Sequence, residues 1–92
     1  MNTGEVLSSV IDTYGKTGQI RLCIEEMAEL TKALCKLYRQ SDHEQYQACL
    51  ENIREEIADV KIMLAQMEMI FGGVEDIVSK KIARLKNLLE EK

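Results

Sequence analysis

Apolar residues recur at the three- and four-residue spacing of an α-helix along most of this chain. Gly15, a polar run at 41–44 and the Gly72-Gly73 pair are the main interruptions, and they divide the chain into four helical segments. None of the 92 residues is proline, which permits long helices, and the 4% of aromatic residues is low for a β-rich domain. We therefore predict an all-α fold in which four helices form a single domain over residues 1–92.

Capping residues and glycines predict where each helix begins and ends. Asn2 or Thr3 is the expected cap of the first helix, Thr17 that of the second, and the capping-box sequence SDHE at 41–44 opens the third. The predicted spans are 3–14, 17–39, 41–70 and 74 to near the C-terminus. Because the connections are short, neighbouring helices are expected to run antiparallel. A chain this short buries a limited core alone, so we expect it to oligomerise into a helical bundle.

A short acidic motif occurs twice in the chain. Residues 25–30 read EEMAEL and residues 55–60 read EEIADV, an offset of 30 residues. Each copy has the order acid, acid, apolar, alanine, acid, apolar, within a segment that otherwise predicts a buried helix. One copy is ordinary for the solvated face of a helix, whereas two matched copies on neighbouring helices indicate a shared site.

The turn of about 100° per residue in an α-helix predicts where these acids point. On the second helix the predicted core stripe centres on Met27, and two acids lie at about −100° and −160° from it. On the third helix the stripe centres on Ile57, and two acids lie at the same offsets. In an antiparallel pair of helices, both sets can face one point. These acids are Glu26, Glu29, Glu56 and Asp59.

Four carboxylates at one point repel one another unless a cation lies among them. Oxygen ligands suit Mg²⁺, with Mn²⁺ as the alternative. The only histidine, His43, falls in a loop, which disfavours zinc and the di-iron bundles that need an inward histidine on each of two helices. The acids therefore predict a hard divalent metal beside phosphate chemistry. The competing interpretation is that they are solvated charges with ordinary partners along each helix.

The fourth helix carries the cations that a phosphate substrate requires. With Leu85 at zero on the helical wheel, Lys81 lies at about −40°, inside the apolar stripe. A lysine in that position either extends its amine to water or reaches an anion. We predict Lys81 and Arg84 as contacts to the phosphates of the substrate.

Charge and cysteine content limit the partners of the chain. The formal net charge of −4 argues against binding to a nucleic-acid polymer, which requires a basic surface. No apolar run approaches the roughly 20 residues that span a bilayer, and no signal peptide is expected. Cys23, Cys35 and Cys49 form no C-x-x-C pair, and their number is odd. We predict free thiols, a cytoplasmic location and no membrane partner.

The spacing E-E-x-x-E, followed after 26 residues by E-x-x-D, resembles the signature of the all-α nucleoside triphosphate pyrophosphohydrolases. These are the MazG-like proteins, with dimeric dUTPases and phosphoribosyl-ATP pyrophosphatases as relatives. The match extends from about Tyr14 into the basic fourth helix and covers most of the chain. The E-E-x-x-E string alone is common in helices, but the two-part motif on consecutive helices of so small a domain is fairly specific.

This resemblance implies Mg²⁺-dependent hydrolysis of a nucleoside triphosphate to the monophosphate and pyrophosphate. Carried over by motif position, Glu26, Glu29, Glu56 and Asp59 would hold the metal, and Glu25, Glu26 and Glu56 would be catalytic. Glu25 lies at a different angle on its helix and would act through water or by supporting the metal ligands from outside. Family members are dimers or tetramers in which helices from two chains build the sites. The resemblance therefore implies a homodimer or homotetramer.

Two other functions are consistent with the sequence. One is a non-catalytic helical module that binds a partner or regulates a complex, with the acids serving as solubilising charge. The other is a weakened family member that binds metal and nucleotide without efficient turnover. The base and sugar preference is not specified, because the aromatic residues that could stack on a base are each more often core residues. They are Tyr14, Tyr38, Tyr46 and Phe71.

Overall fold

The computed structural model of the protein describes residues 1–91, and those residues contain four α-helices and no strand. The end of the predicted domain at Lys92 lies outside the described residues. The all-α, four-helix prediction is confirmed. None of the helices in the described part of the chain is long and apolar enough to cross a membrane. The helices are α1 (Thr3–Tyr14), α2 (Lys16–Leu37), α3 (His43–Phe71) and α4 (Glu75–Glu90).

Two of the helices have a side-chain cap at their N-terminus. The Asn2 Oδ1 atom accepts a hydrogen bond of 2.8 Å from the Glu5 backbone N–H and caps α1, as predicted. Asp42 does the same for α3, with its Oδ1 atom 2.8 Å from the Gln45 nitrogen. The prediction that Thr17 caps α2 is wrong, because α2 already begins at Lys16 and has no side-chain cap.

Gly15 makes the sharp corner between α1 and α2. Its φ of 85° lies in the left-handed region that residues with a Cβ atom rarely adopt. Its backbone N–H donates to the Ile11 carbonyl at 2.8 Å and closes α1, and α2 begins at the next residue. This corner brings α1 back across the start of α2, where α1 packs on both α2 and α3.

The core lies where these three helices meet. The connection from α2 to α3 spans only residues 38–42, and the two helices pack along their lengths as an antiparallel hairpin. The core is small, and no described side chain has less than 2% of its surface exposed. The buried apolar residues are Ile11, Cys23, Ala33, Ile53, Val60 and Met63. All three cysteines are free thiols.

The buried seam between α2 and α3 differs from the predicted core stripes. Met27 and Ile57, the predicted centres of those stripes, are 49% and 44% exposed. The seam on α2 is turned by about 80° from Met27. An apolar stripe shows which face avoids water but not which neighbour covers it. The seam positions recur at alternating spacings of four and three residues, at 19, 23, 26, 30, 33 and 37 on α2 and at 49, 53, 56, 60, 63, 67 and 70 on α3.

Helix α4 extends away from the other three helices. It packs on none of them, and all its residues are exposed. Its direction is set at the turn, where Gly72 has a φ of 110° and the Glu68 Oε1 atom accepts a 3.1 Å hydrogen bond from the Val74 N–H. The apolar stripe of α4 therefore faces solvent in the single chain, and Leu85 and Leu88 are each about half exposed.

The single chain is open for its size. Its radius of gyration is 17.0 Å, whereas a close-packed domain of this length has about 12 Å. Its accessible surface is 7434 Å², whereas a folded monomer of 10.5 kDa exposes about 5,400 Å². The extra surface of about 2,000 Å² follows from the projecting α4 and the open faces of α2 and α3.

Candidate metal centre

Three acids from two helices meet at the α2–α3 seam, where Glu26 and Glu56 are partly buried and Asp59 is exposed. Glu26 lies on α2, and Glu56 and Asp59 lie three residues apart on one face of α3. One carboxylate oxygen from each residue lies within 4.8 Å of the other two. Glu26 and Glu56 occupy seam positions of their helices, so the antiparallel pairing itself brings them face to face.

The electrostatic environment of this cluster disfavours ionisation of Glu26. Burial raises the pKa of the Glu26 carboxyl above its usual value, and the negative charge of Asp59 raises the same pKa further. Glu56, Glu29 and Glu25 raise that pKa in turn, in decreasing order. All these influences act in the same direction, and none of them comes from a cation of residues 1–91. The cluster is therefore a site of concentrated negative potential.

No cation from residues 1–91 neutralises the cluster. The Glu56 Oε2 atom is buried and has no hydrogen-bond partner. An unpartnered buried carboxylate oxygen costs free energy, and structures tolerate it where a cation binds. The one ion pair in the described chain joins Lys86 to Glu90 at 4.0 Å on α4. Three converging carboxylates with an orphaned oxygen fit a hard divalent cation such as Mg²⁺ or Mn²⁺, which takes oxygen ligands.

The other two acids predicted for the site lie at its edge. Glu29 is exposed, and its carboxylate is not among the three that converge within 4.8 Å. Glu25 is exposed as well. Both lie near enough to Glu26 for their charges to raise its pKa. The structure therefore places Glu25 and Glu29 around the cluster, and their predicted roles in catalysis and metal binding stay predictions.

The predicted phosphate contacts are not assembled in the single chain. Lys81 and Arg84 are exposed on α4, and α4 packs against neither α2 nor α3. Lys81 and Arg84 are therefore not among the residues that surround the acidic cluster in the single chain. The sequence pattern correctly predicts that both residues lie on the fourth helix. It does not indicate the direction in which that helix leaves the α2–α3 hairpin.

A shallow depression of about 180 Å³ adjoins the acids and opens to solvent. Leu22, Ile62 and Met63 line it together with Glu26 and Asp59. The same three apolar residues also line a second cavity, which extends along the seam toward α1. The acidic cluster and that cavity therefore share one wall.

Sequence reasoning missed two buried polar residues on the helices that carry the acids, Gln19 and Gln66. A signal was present in their spacing. Gln19 lies seven residues before Glu26 and Gln66 seven residues after Asp59, so each glutamine shares a helix face with a site acid, two turns away. A glutamine at that spacing from an acid is the signal that would have singled out both residues.

Comparisons of this chain with protein families, with curated proteins and with solved structures found no match. The resemblance to the MazG-like proteins therefore rests on the two acidic motifs and their spacing. It stays a hypothesis, and its consequences for activity are proposals.

Proposed function

We propose that the protein hydrolyses a nucleoside triphosphate to the monophosphate and pyrophosphate in a reaction that requires Mg²⁺. The observation that supports this proposal is the convergence of Glu26, Glu56 and Asp59 within 4.8 Å, with no cation from the described chain among them. The MazG-like spacing of the two motifs adds the reaction class. Mn²⁺ is the alternative metal, because it takes the same oxygen ligands.

Glu26, Glu56 and Asp59 would hold the metal, with Glu29 one turn beyond Glu26 as the fourth ligand. When bound, Mg²⁺ supplies positive charge against the phosphate oxygens and lowers the pKa of a bound water. Water then breaks the anhydride between the α- and β-phosphoryl groups, and pyrophosphate leaves. Glu25 is exposed at the edge of the cluster and would accept the proton that the attacking water loses.

We propose further that the working form is a homodimer or homotetramer. The excess surface of about 2,000 Å² per chain falls in the range that each partner of an obligate dimer buries. The exposed apolar faces of α2, α3 and α4 supply that surface. In such an assembly, α4 of a neighbouring copy would bring Lys81 and Arg84 to the phosphates. The free thiols agree with a cytoplasmic setting.

A panel of the ribo- and deoxyribonucleoside triphosphates tests this function. The purified protein is incubated with each nucleotide and Mg²⁺ or Mn²⁺, and pyrophosphate and orthophosphate are measured separately. We expect pyrophosphate from at least one nucleotide and none after chelation of the metal. Absence of pyrophosphate with every nucleotide and both metals contradicts the proposal. Release of orthophosphate in place of pyrophosphate would also contradict it.

A non-catalytic helical binding module is the competing function, and the open apolar face of α4 favours it. A weakened enzyme that binds metal and nucleotide without efficient turnover is the third candidate. Thermal stability separates these two when the panel yields no product. A weakened enzyme gains stability on addition of Mg²⁺ or Mn²⁺, because the metal binds the folded state. A binding module with solvated acids shows no such gain.

A further inference from the structure

A cavity of about 460 Å³ that opens to solvent lies between α1 and the α2–α3 hairpin. This volume falls within the roughly 300–1,000 Å³ of small-molecule sites in proteins. Its walls are mostly apolar, with Val6 and Val10 from α1, Leu22 from α2 and Ile62 from α3. Apolar walls with a few polar groups are typical of a site for a flat, partly polar ligand.

Two buried glutamines adjoin this cavity. Gln19 is 5% exposed and Gln66 is 2% exposed, and both line the cavity. The Oε1 atom of each is buried and has no hydrogen-bond partner among residues 1–91. The Gln66 Nε2 atom donates only a weak bond of 3.8 Å, to the Met63 sulfur. The chain therefore keeps two acceptor oxygens out of water without satisfying either of them.

This arrangement is costly for a core. A buried amide oxygen without a partner destabilises a fold by about 1–3 kcal/mol, and an apolar side chain of similar volume would remove that cost. Two such oxygens in one cavity are accounted for by a ligand that donates hydrogen bonds. The last torsion of a glutamine side chain is broad, so each amide can turn its oxygen toward such a ligand.

The position of the cavity relative to the acids indicates which part of a substrate it holds. Gln19 and Gln66 each lie two helical turns, or about 10 Å, along the helix from a site acid. Because α2 and α3 are antiparallel, both glutamines lie on the same side of the acidic cluster. The end of a ligand that reaches into the cavity is therefore remote from the phosphates at the metal.

We propose that this cavity binds the nucleobase of the substrate, with Gln19 and Gln66 accepting hydrogen bonds from its N–H groups. This inference rests on the proposed function, in which the acids bind the phosphates. Tyr14 also lines the cavity and is 69% exposed at the end of α1, where its ring can stack on the base. Gln19 and Gln66 are thus the specificity-determining residues, and Tyr14 covers the base.

Glutamine variants with nucleosides, which carry no phosphate, test the pocket without catalysis. Binding of adenosine, guanosine, cytidine and uridine, and of their 2′-deoxy forms, is measured by NMR titration in EDTA. We expect at least one nucleoside to bind and to shift the side-chain amide signals of Gln19 and Gln66. Gln66→Met and Gln19→Leu should each weaken binding about tenfold, the effect of one lost hydrogen bond. Gln47→Met, at an exposed position of α3, is the matched control and should bind as the wild type does.

The melting temperature of the free protein distinguishes a role of the glutamines in ligand binding from a role in stabilising the fold. If the glutamines serve the ligand, Gln66→Met removes an unsatisfied oxygen and leaves the melting temperature of the free protein equal or higher. If they serve the fold, the same change lowers it. Tyr14→Phe should retain nucleoside binding, whereas Tyr14→Leu should weaken it. A loss of stability in Gln66→Met together with unchanged nucleoside affinity overturns the proposal.

The outcomes also distinguish failure of the pocket from failure of the proposed function. Pyrophosphate release by the wild type, with KM unchanged in both glutamine variants and no nucleoside bound, overturns the pocket and leaves the hydrolase intact. That result is also expected if side chains of a second copy fill the cavity. Nucleoside binding that depends on the glutamines, with no pyrophosphate from any nucleotide, supports the pocket and contradicts the hydrolase.

Discussion

Glu26 shows at the scale of one residue why we propose a cation at this site. It occupies a seam position that a coiled pair of helices ordinarily gives to an apolar side chain, and it faces Glu56 and Asp59. Burial and like charge both raise its pKa, so the folded chain disfavours the ionised form that a metal would bind. An unpaired acid in such a position lowers the stability of the fold. A cation bound there would relieve the repulsion between the acids, and this gain would add to the affinity for the cation.

Removal of one ligand from the cluster should abolish turnover without unfolding the protein. We expect Glu56→Gln or Asp59→Asn to lower the rate of pyrophosphate release by at least about 100-fold, because loss even of a supporting residue costs 10–100-fold. The melting temperature in EDTA should stay equal or rise, since like charges are separated. Glu51→Gln, an exposed acid of the same helix, is the control. A variant that unfolds would show that these acids are structural.

The pH dependence of stability follows from the sign of the pKa shift at Glu26. A carboxyl whose pKa is higher in the folded than in the unfolded state stabilises the fold below its unfolded pKa of about 4.5. That contribution is lost as pH rises through the folded-state pKa. Glu26→Gln, which cannot ionise, should therefore melt higher than the wild type at pH 7 without metal. The difference should shrink toward pH 4.

Calorimetry in EDTA across pH 4–7.5 measures this difference, with Glu51→Gln as the comparison. A lower melting temperature for Glu26→Gln at pH 7 would contradict the direction of the shift. Addition of Mg²⁺ at pH 7 should reverse the order of the two proteins, because the metal stabilises only the chain that keeps its carboxylate.

At the scale of helices, α2 and α3 each have two apolar faces, and the pairing of the two helices determines which face is buried. Each helix carries the seam that holds the acids and a neighbouring stripe around Met27 or Ile57. The hairpin buries the seam and leaves the stripe exposed. Helix α4 also has an exposed apolar face, since it is amphipathic and packs on no other helix. An amphipathic helix gains most of its stability when its apolar face packs against another element. We therefore expect a partner to cover these exposed faces.

A charge placed in the α4 stripe should dissociate the assembly. We expect Leu85→Glu to reduce the mass in solution from two or four chains to one, because an ionised carboxylate opposes burial of that stripe. Ala83→Glu adds the same charge on the opposite side of α4, at about 160° from Leu85, and should leave the mass unchanged. Light scattering after size-exclusion chromatography measures both.

The same variant links the assembly to the reaction. If α4 of a neighbouring copy supplies Lys81 and Arg84, Leu85→Glu should also lose pyrophosphate release, while Mg²⁺ still raises its melting temperature. A wild type that is monomeric in solution, or a Leu85→Glu protein of unchanged mass, would contradict the proposed assembly.

At the scale of the whole molecule, the single chain is an open structure. Its small core, its radius of gyration of 17.0 Å and its uncovered α4 all have one cause, which is that much of its apolar surface lies on faces its own helices do not cover. The proposed metal ligands lie on the α2–α3 hairpin, whereas Lys81 and Arg84, the proposed phosphate contacts, lie on the exposed helix α4. Changes in α4 should therefore separate the proposed metal binding from the proposed turnover of substrate.

The sequence by itself determined the four helices, because periodicity, glycines and capping residues act over a few neighbouring residues. It also determined that Glu26, Glu56 and Asp59 share one side of their helices, since that follows from spacing alone. Only the tertiary structure decided that Glu26 and Glu56 lie in the seam with Asp59 exposed beside them. It also decided that Glu29 stays outside the closest cluster, and that Gln19 and Gln66 line a cavity beside it. Which of the two apolar faces is covered depends on residues that are distant in the sequence. The spacing of residues along one helix does not indicate which distant residues will pack against it.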